Sequence, residues 1–142
     1  MSANPMLNTA LGSLAGIPSF LAYFALAVVL LLVFVRLYTW VTPHDEFALI
    51  RANNPAAAIA FAGALVGFAW PLSSAITHSL SLLDCAIWGG VALVVQVLTF
   101  LLSSAALKQL PQRITQGELA AGVFSAGCSI TVGMLNAACM SY

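Results

Sequence analysis

Phe20-Leu-Ala-Tyr-Phe-Ala-Leu-Ala-Val-Val-Leu-Leu-Leu-Val-Phe34 contains no charged or amide side chain. A helix rises ~1.5 Å per residue, so roughly 20 apolar residues cross the ~30 Å hydrocarbon core of a bilayer. Extended to Ile17 and Val41, this stretch is long enough. Three more runs qualify: Pro55 to Thr77, Asp84 to Leu107 and Glu118 to Tyr142. The connections are short, so neighbours in sequence are expected to pack antiparallel. The fold class predicted is all-α, an integral-membrane four-helix bundle. Residues 17–142 form one four-span domain, preceded by an N-terminal segment, 1–16.

Composition points the same way. Of 142 residues, 62% are apolar and 6% charged, with four Lys/Arg against four Asp/Glu. The mean hydropathy is +1.04. A soluble domain is about 25% charged and keeps a mixed, wet surface. A soluble enzyme, a disordered tail and a basic nucleic-acid binder are therefore excluded, and the expected medium is the lipid bilayer. The segment before Ile17 has no Lys or Arg, and the run after it is too long for a signal h-region. It reads as a first span, not a cleaved leader.

Orientation follows the basic residues. Arg36 and Arg51 flank the first connection, and Lys108 and Arg113 lie in the third. The N-terminal segment, the His78–Leu83 connection and the C-terminus have none. Both termini are thus expected outside, on the periplasmic face of a bacterial inner membrane. Tyr38 and Trp40 would mark the inner interface, and Trp70, Trp88 and Tyr142 the outer one.

Helix starts have local chemistry. Asn54-Pro55 is an N-cap followed by a proline at the first helical position. Thr115-Gln-Gly-Glu118 reads as a capping box for the fourth span, and Ser81-Leu-Leu-Asp84 as a weaker one for the third. In Thr42-Pro-His-Asp-Glu-Phe-Ala-Leu-Ile-Arg51, Thr42 is expected to cap a short surface helix, with Asp45 and Glu46 in its first turn. Pro5 can open another, with Leu7, Leu11 and Leu14 on one face and Gly16 at its end, lying at the interface.

A shift of 63 residues lays Ala57, Ala58 and Phe61 on Ala120, Ala121 and Phe124. Each half would then be a hairpin of the same orientation, a parallel tandem repeat. Helices already in lipid associate through close packing and hydrogen bonds. The expected packing seams are Ala56, Ala60 and Ala64 with Gly63-x-x-x-Gly67 on span two, and Ala121, Ser125, Ser129, Gly133 and Ala137 on span four. Spans one and three are bulkier and are expected to face more lipid.

Gln96 lies 12 residues into span three, roughly 18 Å from its outer end. Ser129 is at a comparable depth, and Asn136 lies nearer the outer side with Ser73, Ser74 and Trp88. An amide facing acyl chains would go unsatisfied. Gln96, Ser125, Ser129, Asn136, Ser73 and Ser74 are therefore candidate interhelical bonding groups, or the lining of a polar path. Pro71 removes a backbone hydrogen bond, and the freed carbonyl is expected to find Ser73 or Ser74.

Other chemistry is sparse. His44 and His78 fall on opposite sides of the membrane, so no metal site is predicted. His78 and Asp84 could pair at the outer surface. No catalytic constellation, phosphate-binding loop or C-x-x-C occurs, and no catalytic residue or cofactor is predicted. Cys85 and Cys139 lie near outer helix ends, where a disulfide could persist, while Cys128 is mid-membrane; the simplest reading is three small packing residues.

Three strings carry a resemblance: Thr42–Ala75, TPHDEFALIRANNPAAAIAFAGALVGFAWPLSSA; Ala86–Gln96, AIWGGVALVVQ; and Gly133–Tyr142, GMLNAACMSY. From Ala22 onward the chain resembles the YjfL-like family of small bacterial inner-membrane proteins, domain of unknown function 350. The resemblance implies a four-span protein of two hairpin units. It supplies no activity and no catalytic residues. The reading is a non-enzymatic structural or adaptor protein that packs with itself, as a homo-oligomer, or with a membrane-protein partner, its small seams supplying the surface. The alternative is an oligomeric channel or permease lined by Gln96, Ser125, Ser129, Asn136 and Ser74. For topology, a C-terminal reporter that fluoresces only in the cytoplasm should stay dark in cells; a bright signal would reverse the orientation.

Overall fold

The computed structural model describes residues 4–140. Seven helices follow in order: α1 (Pro5–Ala15), α2 (Ile17–Val41), α3 (Glu46–Arg51), α4 (Pro55–His78), α5 (Leu82–Ala106), α6 (Leu110–Thr115) and α7 (Leu119–Cys139). Among the described residues there is no strand. Four helical stretches are long and apolar enough to cross a membrane: Pro5–Val41, Pro55–His78, Leu82–Ala106 and Leu119–Cys139. The first runs almost continuously through α1 and α2, with Gly16 at the junction. Tyr142, expected at the outer interface, lies outside the described residues.

Several helix starts use local side chains. The carboxamide of Asn54 accepts from Ala57 N at 3.1 Å, and the hydroxyl of Ser81 accepts from Asp84 N at 3.1 Å. Asn4 caps α1 by accepting from Met6 N. Two expectations fail. Thr42 ends α2, its hydroxyl donating back to Tyr38 O at 3.0 Å, and Asp45 caps α3 by accepting from Ala48 N. Thr115 does not open α7, because α6 runs through it and its hydroxyl donates to Pro111 O. Glu118 instead pairs with Arg113. The Asn54 amide reaches across and donates to Ile114 O at 3.0 Å and Thr115 O at 3.1 Å, satisfying the C-terminal carbonyls of α6.

The centre of the bundle is the pair α4 and α7. They run parallel: Ala56 lies against Gly122, Gly63 against Ala126, Gly67 against Ser129 and Gly133, and Ser74 against Ala137. A Cβ on Gly122 would stand 2.5 Å from Ala56 O, and one on Gly63 or Gly133 would overlap the facing helix. Only backbone fits there. The small seams thus pack helix on helix, as expected, but inside one chain, and are not left to supply a surface for a partner.

α5 lies across this pair and turns Cys85, Gly89, Ala92, Gln96, Thr99, Phe100 and Ser103 inward at spacings of three and four. It is more enclosed than its bulk suggests: seven of its 25 residues are buried, much the same share as in α7. α2 packs outermost through Phe34 and Tyr38. Phe34 stacks on Phe68 with ring centroids 4.6 Å apart, and Tyr38 contacts Phe61 and Phe100. These aromatics bind α2 to α4 and α5 on the half toward α3.

Substitutions at two glycines should separate the helix contact from general helix effects. Gly133→Ala drives a methyl into Gly67 O, while Gly127→Ala enters open space. Overpacking of this kind costs about 1–3 kcal/mol. Thermal denaturation in detergent should show a clear fall in midpoint for Gly133→Ala and almost none for Gly127→Ala.

Candidate functional site

One set of buried polar groups meets midway along the bundle, around Gln96 and Ser129. Pro71 sits inside α4 and has no N–H, so the carbonyl four residues back, Gly67 O, loses its helical partner. The Gln96 amide of α5 fills the vacancy, donating to Gly67 O at 2.8 Å and reaching Ser129 O of α7 at 3.4 Å. Gln96 is 3% exposed. Gly133 closes the other side, its missing side chain letting α7 lie directly on Gly67 O. One amide thereby ties three spans to a carbonyl that a proline set free.

Neither serine expected at that carbonyl is used there. Ser74 is about two turns further along α4 and donates to Ala137 O at 3.0 Å, a second tie between α4 and α7. Ser73 is exposed, and its carbonyl accepts from Thr77. Ser125 and Ser129 are buried in α7. Asn136 is half-buried, and its amide nitrogen is covered and has no hydrogen-bond partner. So Gln96 and Ser129 meet with Gly67 and Gly133; Ser74 meets Ala137; Ser73 and Asn136 join neither group. The described cavities lie at the surface, and Gln96 lines none of them.

At the turn between α4 and α5, His78 Nδ1 lies 2.9 Å from Ser74 O, while Asp84 accepts from Leu80 N, so the expected His78–Asp84 pairing is not made. Cys85, Cys128 and Cys139 are all free.

Sequence reasoning missed a second polar group at the other end. Asp45 is spent as the α3 cap, and Glu46 turns the opposite way, into the bundle, where it is 1% exposed. His44 Nε2 lies 2.7 Å from Glu46 Oε1. The adjacent acids were readable as first-turn residues, yet when one of two neighbours caps the helix, the other points elsewhere. His44 also lines a 360 Å³ pocket with Pro43, Pro111, Gln112, Thr115 and Gln116, between the α2–α3 turn and α6.

Comparison with known proteins places the chain. Residues 12–140 match the family described as Domain of Unknown Function (DUF350). The chain belongs to this family. It is 40% identical over 124 residues to the UPF0719 inner membrane protein YjfL of Escherichia coli (strain K12), covering 87% of this chain and 94% of that protein. The same protein from Escherichia coli O157:H7 matches equally. No solved structure matches. This DUF350 member is a multi-pass membrane protein, and no enzymatic family is indicated for it.

The link between Pro71 and Gln96 is open to a double-mutant cycle. Gln96→Leu alone should destabilise by about 1–2 kcal/mol, near the upper end for membrane hydrogen bonds. In a Pro71→Ala background, Gly67 O regains its helical N–H, and the same change should cost clearly less. Equal costs in both backgrounds, measured by reversible unfolding in bicelles, would sink the account.

Proposed function

We propose that this protein is a non-enzymatic adaptor of the inner membrane, acting by packing its lipid-facing helices against a copy of itself or another membrane chain. The observation that carries this reading is where the polar and small residues point. Gln96 and Ser74 are turned onto backbone carbonyls, and the glycine seam is consumed between α4 and α7. A bundle filled in this way leaves one chain no interior path. The surface left for a partner is the first stretch, Pro5–Val41, where only Phe34 and Tyr38 are buried, against ten residues of α4. Its outer positions include Phe20, Phe24, Val29 and Leu32, all large and exposed.

The inner-membrane setting is supported by the similarity to an inner membrane protein, and periplasmic termini by the four basic residues around the first and third connections. The two halves share the order long helix, short helix, long helix. Two α4–α7 contacts, Gly63 with Ala126 and Ser74 with Ala137, join residues 63 apart. Both features support tandem hairpins.

Two measurements test the adaptor. Leu32→Cys, in a chain whose three native cysteines are Ser, should give an oxidised cross-linked species in native membranes. Reconstituted liposomes should leak small solutes no faster than empty vesicles. Monomer alone in the first assay rules out self-association through α2. Solute flux altered by Gln96→Leu, with the oligomer still formed, would favour the multi-chain pore.

A further inference from the structure

A groove runs between α5 and α7 on the outside of the bundle. Val95, Leu98, Leu102 and Ala106 of α5 form one wall and Cys128 and Val132 of α7 the other, around 430 Å³. Two hydroxyls also border it, but both are spent inside α5: Thr99 donates to Val95 O and Ser103 to Thr99 O, each at 2.7 Å. The lining therefore offers methyl and methylene surface and one thiol, which packs as a small apolar group. Such a groove suits hydrocarbon and gives water nothing to bond.

Its length is that of one leaflet. From Val95 to Ala106 the helix rises roughly 16 Å, about half of the ~30 Å hydrocarbon core. The groove opens at the C-terminal end of α5, and Lys108 lies just beyond it. Lys108 is exposed, and among the described residues neither ion pair includes it. The acids of the two neighbouring connections are already engaged. Asp45 caps α3, Glu46 faces His44, and Glu118 pairs with Arg113. An ammonium at the membrane surface with no protein anion beside it attracts anionic lipid. A zwitterionic headgroup brings its own cation and gains less.

We propose that this groove is a phospholipid site: one acyl chain lies between α5 and α7, and the phosphate of an anionic headgroup rests on Lys108. The hydrocarbon walls fix where the chain lies, and the lysine selects the charge. No residue of α2 lines the groove, so the site stands whether or not α2 docks a partner.

The test uses the full chain in detergent, stripped of lipid and titrated with phosphatidylglycerol or phosphatidylcholine of matched chains. Native mass spectrometry should show one phosphatidylglycerol held per chain about fivefold more tightly than phosphatidylcholine, the preference that one lysine near a membrane surface supplies. Lys108→Gln should bring phosphatidylglycerol down to the phosphatidylcholine level and leave the latter unchanged. Ala106 is exposed, so Ala106→Phe sets a ring in the mouth of the groove without disturbing the core, and it should weaken both lipids. Arg51→Gln removes the same charge from α3 and should leave the preference intact. Equal retention of the two lipids by wild type, a preference that survives Lys108→Gln or is lost equally in Arg51→Gln, or binding untouched by Ala106→Phe would overturn the site. So would a dimer in detergent that Ala106→Phe separates, because a second copy would then fill the groove.

Discussion

The carbonyl of Gly67 is the point on which the bundle turns. Pro71 denies it a helical partner in the part of the chain where no water is available to replace one. An unsatisfied carbonyl in hydrocarbon costs several kcal/mol. The donor has to come from another span, and Gln96 supplies it. The same amide would itself be stranded without that acceptor. Two local defects, a proline in α4 and an amide in α5, cancel each other, and in doing so they set the rotation of α5 and its height against α4.

Close approach of α7 completes the arrangement. Because Gly133 and Gly67 lack side chains, α7 lies directly against the carbonyl and brings Ser129 O within reach of the same amide. Contacts at Gly63, Gly122 and Ser74 repeat the parallel register along the helices. α2 is held differently, by rings: Phe34 on Phe68, and Tyr38 among Phe61 and Phe100. The result is α4 and α7 locked by backbone contact, α5 tied to both through Gln96, and α2 laid on the outside by its rings and by Leu30 against Gly89. The centre of the bundle is closed, and the first span keeps most of its large apolar side chains on the surface.

Much of this was legible in the residues. Asn54, Ser81 and Pro55 mark helix starts through chemistry that acts within one turn, and they sit where such chemistry places them. The glycine and alanine seams were visible as small residues at four-residue spacing. The inward face of α5 was present too, in Cys85, Gly89, Ala92, Gln96 and Ser103, but it was masked by the bulk of the intervening Val and Leu. Thr115 misled because a capping box is recognised by spacing, and the same spacing fits a residue finishing the helix before. His44 and Glu46 were passed over because nothing in a run of polar loop residues says which one the turn will bury.

The chain by itself determined its solvent, its four spans, most of its helix ends and the depth at which its amide lies, since each depends on composition or on neighbours within a few residues. Which partner each exceptional group took was decided only in three dimensions. Ser73 and Ser74 were nearer in sequence to the carbonyl freed by Pro71, yet Gln96, 29 residues away, holds it. Hydrogen-bond geometry answers to the positions of packed helices, and those positions arise from glycine contacts between α4 and α7 that no single segment contains.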